Sequence, residues 1–136
     1  MKLHTFLLLV FLFFTSCFSR SSSDAEKTFE YWAGTKTPDE VELINGQYFQ
    51  SPHFTIEYEL FLQFNTTEQW WNQYTQKNGL MLDEPQSDWK TFTELPEWFT
   101  PPDSYLIYSK NNSFDRSRYF FDVKTGTCYV YESVGM

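Results

Sequence analysis

A chain of 136 residues with a formal charge of −8 is sized for one hydrophobic core, and its acidity excludes a phosphate-tracking surface, which needs a basic stripe whose counterion release drives affinity. No nucleic acid is expected as a partner. The content of 41% hydrophobic and 21% aromatic residues is ample for a packed domain, while the negative charge suits a basic protein partner as well as plain solubility.

Met1 to Ser16, MKLHTFLLLVFLFFTS, opens with a charge at Lys2 and continues as an unbroken apolar run from Phe6 to Phe14. That layout is a secretory leader, and the run is far short of the roughly 20 apolar residues that a transmembrane helix needs. Thr15-Ser16-Cys17 then places small residues just before a cysteine. Here the chain resembles bacterial lipoproteins, whose lipobox ends on the cysteine that becomes the lipidated first residue of the mature protein. Phe14 departs from the Leu, Val or Ile usual at its position. The resemblance covers the first seventeen residues and implies a signal peptide over 1–16, lipid attachment at Cys17 and a place in the cell envelope with the membrane as partner. Ordinary secretion is the alternative, with Cys17 discarded or left as a free thiol. Asn65-Thr66-Thr67 and Asn111-Asn112-Ser113 match the glycosylation acceptor pattern and would matter only in a eukaryotic secretory protein.

Residues 17–27 follow as the anchored cysteine and a Ser-rich tether, FSRSSSDAEK, without periodicity, whose flexible reach is roughly 15–20 Å. One domain is expected over 28–136. Thr28 to Gly34 fits either a short helix or a first strand. Thr37-Pro38-Asp39-Glu40 has the marks of a helix start, but Asn45-Gly46 between two apolar runs is the stronger signal and favours a hairpin over Val41 to Gln50. From Phe54 to Phe64 the chain alternates. Phe54, Ile56, Tyr58, Leu60, Leu62 and Phe64 fall on one face, and Thr55, Glu57, Glu59 and Gln63 on the other, with Phe61 the apolar exception. Asn65-Thr66-Thr67 caps a helix with Thr66 and Gln69 as a capping box, and Gly79 closes it; Trp70, Trp71 and Tyr74 supply its apolar face.

Met81 to Asp103 carries Pro85, Pro96, Pro101 and Pro102 and reads as an irregular aromatic loop. Trp98 and Phe99 either form an exposed rim stiffened by the prolines or, with Trp89 and Phe92, pin the loop to the core. The C-terminal third reads as three strands, Tyr105 to Ser109, Ser117 to Val123 and Cys128 to Val134, with a hairpin at Lys124-Thr125-Gly126-Thr127. Cys128 belongs to the core face of the last strand.

The fold expected is α+β, an antiparallel sheet of four to six strands packed on one main helix. CxxC, HExxH, Walker and GxGxxG patterns are absent from the sequence, and no metal site or cofactor is expected. The sharpest catalytic idea is a cluster of His53, Glu57 and Glu59 on one strand face, which a solvated polar face explains equally. The function these features favour is a non-enzymatic envelope binding module, with an acidic inhibitor or immunity-type protein as one version. The alternatives are a small envelope hydrolase or carbohydrate-active protein using the aromatic loop and surface carboxylates, and an assembly subunit that lends an edge strand. Candidate binding residues are Trp98, Phe99, His53, Glu57 and Glu59.

Overall fold

A computed structural model describes residues 20–52, 57–84, 94–112 and 114–135. Among these are seven strands and two helices: β1 (Arg20–Ser22), α1 (Ala25–Ala33), β2 (Glu42–Gln50), β3 (Tyr58–Asn65), α2 (Glu68–Lys77), β4 (Leu80–Leu82), β5 (Leu106–Lys110), β6 (Arg118–Phe121) and β7 (Thr127–Val134). The strands form one antiparallel sheet in the order β1-β2-β3-β7-β6-β5-β4. The α+β architecture thus holds, with more strands and one more helix than expected.

The extra elements have identifiable causes. The Ser-rich tract expected to be a tether through Lys27 instead supplies β1, which pairs with β2 from Arg20↔Gln50 to Ser22↔Tyr48 and is too short to show a period. Asp24 caps α1 by accepting from the Lys27 amide at 3.0 Å, and Gly34 ends the helix at φ +70°. Thr28 to Gly34 is therefore the body and end of a helix. At Asn45-Gly46 there is no turn. β2 runs straight through these residues and pairs with β3 from Glu42↔Asn65 to Gln50↔Tyr58. Gly46 serves close approach, because a Cβ there would stand 2.7 Å from Ala25 Cα and 2.9 Å from Thr28 Cβ. A register shift between Leu43 and Asn45 leaves Leu43 opposite Phe64 and Asn45 opposite Gln63, so an extra residue turns the two side chains to different faces. Thr37 to Glu40 starts no helix; it forms a turn closed by Val41 N–H donating to Pro38 O at 3.1 Å.

Both faces of the sheet are covered. On one, Leu60, Leu62 and Phe64 of β3 pack with Tyr119, Phe121, Cys128 and Val130 under Phe29 of α1 and Trp71 of α2. The alternation expected for this strand holds over its described part, while Phe54 and Ile56 lie outside the described residues. Trp71 is fully buried and lies 5.2 Å from Phe121 with the rings 10° from parallel. On the other face, Phe61 joins Ile107, Phe120, Tyr129 and Tyr131 beneath the 94–105 segment, so the one apolar exception of the alternating pattern belongs to a second core.

Thr67, one residue later than expected, caps α2 by accepting from Trp70 N–H at 3.1 Å, and Gly79 follows the helix at φ +62°. Thr66 Oγ1 is engaged elsewhere, donating to Glu40 O at 3.1 Å. The beginning of the segment expected to be irregular is the edge strand β4, paired with β5 from Leu80↔Lys110 to Leu82↔Tyr108. Gly126 takes φ +75° in the β6–β7 hairpin, with its amide donating to Asp122 O at 2.8 Å. Val123 turns outward in that hairpin, at 53% exposure.

Candidate functional site

Helix α2 presents two stripes. Trp71 and Thr75, four residues apart, are buried against the sheet. Trp70, Gln73, Tyr74 and Lys77, spaced i, i+3, i+4 and i+7, form the second stripe and line one wall of a cavity of about 470 Å³. The end of α1 also lines it, with Trp32, Ala33 and the following Thr35. Between the helices the sheet supplies the floor, Tyr119, Glu132 and Lys110.

Glu132 is the chemical centre of this cavity. Its side chain is only 9% exposed, and a buried carboxylate is tolerated only when its oxygens are hydrogen-bonded or ion-paired. The Tyr119 hydroxyl donates to Oε2 at 2.6 Å, and the Tyr58 hydroxyl donates to Oε1. Lys110 Nζ lies 3.9 Å from Oε2 and 3.7 Å from Asp115 Oδ2, so one ammonium stands between two carboxylates. Burial pushes the Tyr119 and Tyr58 hydroxyls well above the ordinary phenol value, and the negative charge of Glu132 adds to the rise. Tyr74 is raised for the same two reasons, with hydrogen bonds to Trp32 and Tyr119 acting in the opposite direction. These phenols stay protonated at neutral pH and act as donors, not bases.

The aromatic wall is built from both helices. The Trp70 and Tyr74 rings lie 5.6 Å apart and 1° from parallel, and Trp32 approaches Tyr74 to 4.8 Å at 48°. Phe64 supports the wall from below, 5.8 Å from Trp70 and 5.7 Å from Trp32. Gln73, Lys77 and Asn78 are exposed at the mouth, with Tyr119 and Glu132 buried beneath them. Polarity thus sits at the mouth and at the floor, and aromatic surface lies between.

Among the described residues, none of those expected to form a site lines this cavity. Glu59 lies on the opposite face of the sheet and accepts from the Tyr131 hydroxyl at 3.3 Å, while Glu57 accepts from Ser51 Oγ at 3.3 Å. His53 and Cys17 lie outside the described residues, as do Trp89 and Phe92. Phe99 is 2% exposed and makes edge contacts with Phe61 at 5.2 Å and Tyr129 at 5.4 Å, so its ring is a peg in the second core and not part of an exposed rim. Trp98 is half-buried beside it at 5.9 Å. Cys128 is fully buried, and burial raises its thiol well above the usual value, which keeps it protonated.

One sequence signal did point to the cavity. Cys128, Val130 and Val134 share the core face of β7 by alternation, and Glu132 falls between them on that same face. An acid on an otherwise apolar strand face needs partners, and here they are Tyr58, Tyr119 and Lys110. Among the described residues no group of three or more His, Cys, Asp and Glu side chains could hold a metal ion. Comparisons with protein-family models, curated proteins and solved structures find no match to this chain.

Proposed function

We propose that the chain is an envelope lipoprotein, tethered to the membrane by a lipid on Cys17, whose domain is a non-enzymatic binding module with its ligand site in the Glu132 cavity. The observation that carries this reading is the hydrogen-bonded carboxylate at the base of an aromatic-walled cavity of about 470 Å³, a size within the roughly 300–1,000 Å³ range of small-molecule sites. A pre-formed site with fixed polar groups limits the ordering cost of binding. Glu132 is held by two phenol donors and an ammonium, an arrangement suited to orienting a ligand more than to cycling a proton. The leader and lipobox supply the envelope location. A partner that is itself a protein, including the inhibitor or immunity version, has only the acidic charge behind it.

An envelope hydrolase has one observation in its favour. Glu132 and Asp115 share Lys110 at 3.9 and 3.7 Å, which keeps the two carboxylates inside the roughly 10 Å outer limit of glycosidase pairs. Asp115, however, is not among the cavity-lining residues.

The test uses the full chain expressed in a bacterium. Mass spectrometry of the Cys17 peptide is expected to find a diacylglycerol-bearing cysteine, and Cys17→Ala is expected to release the protein from the membrane fraction. Native mass spectrometry against small molecules extracted from the envelope is expected to show an adduct that Trp70→Ala removes. An unmodified Cys17 overturns the tether, and the absence of any Trp70-dependent adduct overturns the binding site. Turnover of an extracted compound that Glu132→Gln abolishes would establish the hydrolase instead.

A further inference from the structure

Resting on the reading of the Glu132 cavity as the ligand site, we infer that its ligand is a neutral saccharide of one or two pyranose rings, stacked on the Trp70 indole with its hydroxyls toward Glu132 and Lys110. Charge is the first discriminator. The lining carries the ammonium groups of Lys77 and Lys110 against the carboxylate of Glu132, with Asp115 facing Lys110 from behind. A ligand cation entering between the aromatic rings would meet two ammonium groups, and an anion would meet a carboxylate already fixed at the floor. Either would leave one set of lining charges poorly compensated, at a substantial desolvation cost. A neutral ligand meets no such conflict.

Hydrogen-bonding capacity is the second discriminator. The polar groups of the lining include donor-only ammonium groups at Lys77 and Lys110, an acceptor-only carboxylate at Glu132, and side chains that do both at Gln73, Asn78 and Thr35. A hydroxyl donates and accepts at once, so a polyhydroxylated ring can satisfy donors and acceptors placed side by side. An apolar ligand would cover them without replacing their hydrogen bonds to water.

The aromatic wall is the third. Trp70 is stacked on Tyr74, 5.6 Å away and 1° from parallel, and this contact fixes the plane of the indole in the lining. The C–H face of a pyranose ring is weakly positive and apolar, and it lies well against the negative face of an indole or phenol ring. Trp32, tilted 48° to Tyr74 at 4.8 Å, packs against this pair and adds its ring to the lining.

The deciding experiment follows intrinsic tryptophan emission of the full chain, solubilised in a detergent without sugar headgroups, during titration with probes. The probes are N-acetylglucosamine, its β-1,4-linked dimer and maltose as neutral saccharides, glucosamine and choline as cations, and glucuronate and inorganic phosphate as anions. Saturable emission changes are expected with at least one neutral saccharide. They are expected to weaken at least tenfold in Trp70→Ala and at least threefold in Gln73→Ala, whose exposed site keeps the test independent of folding. Saturation by a cation or an anion in place of the neutral sugars, with the same dependence on Trp70 and Gln73, overturns the ligand class and leaves the cavity as the binding site. Saccharide binding indifferent to both substitutions overturns the placement. Silence from every probe overturns the saccharide reading, and the envelope-extract adduct then decides separately whether the cavity binds anything.

Discussion

The Tyr119 hydroxyl donates to Glu132 Oε2 at 2.6 Å beneath the cavity, and both residues are buried. This pair joins the fold to the candidate site, because Tyr119 belongs to the helix-side core while Glu132 forms the cavity floor. Its consequence appears at alkaline pH. Burial raises Tyr119 and Tyr74 above the ordinary value of 10.0, so the folded chain holds phenol protons that the unfolded chain releases. Their contribution to stability is complete below about pH 10 and falls as pH rises beyond it, at about 1.4 kcal/mol per pH unit for each group. Urea midpoints measured from pH 8 to pH 11 are expected to be flat at first and then to drop. Tyr119→Phe is expected to cost about 2 kcal/mol at pH 8, through the lost hydrogen bond to a charged group, and to make the alkaline drop shallower. A midpoint unchanged to pH 11 would contradict this assignment.

Gly46 sets the distance between α1 and the sheet. A methyl group there would sit 2.7 Å from the Ala25 backbone, so Gly46→Ala must displace the helix or bend β2. The expected cost is about 1–3 kcal/mol by chemical denaturation. Because α1 also carries Trp32, the substitution is expected to alter the fluorescence of the native state as well. A fully stable Gly46→Ala with native emission would show that the helix does not cross here.

Phe99 and Trp98 are neighbours with different roles. Phe99 is buried in the second core, and Phe99→Ala is expected to cost about 3–5 kcal/mol. Trp98 is only half-buried, so Trp98→Ala is expected to cost less than half as much. Unfolding curves of the two variants separate a pegged segment from an exposed rim, for which the larger loss would not fall on Phe99. Faster proteolysis within 94–105 in Phe99→Ala than in Trp98→Ala is the accompanying sign.

Much of this architecture was legible in local pattern. The alternation through Leu60, Leu62 and Phe64, the cap and closing glycine of α2, and the strands around Phe121 and Val130 each rest on periodicity or turn chemistry, which a short stretch of chain carries by itself. Asn45-Gly46 was misleading for a physical reason. The same glycine that permits a tight turn also permits close approach, and only the helix lying across it distinguishes the two uses. β1 and β4 were invisible because three residues are too few to show a period. Phe61 looked like an exception until the 94–105 segment covered it.

The candidate site was legible only in fragments. Trp70, Gln73, Tyr74 and Lys77 share a helical stripe, and Glu132 breaks an apolar strand face, yet nothing in their order along the chain relates the two. Neighbours within a few residues were enough to reveal β3, α2, β6 and β7 and the polarity of their faces, because alternation and capping are local. The tertiary structure alone decided that the second stripe of α2, the end of α1 and the acid of β7 enclose one space. That meeting depends on the sheet order, which sets β7 beside β3 and lets Tyr58 and Tyr119 reach the same carboxylate from either side.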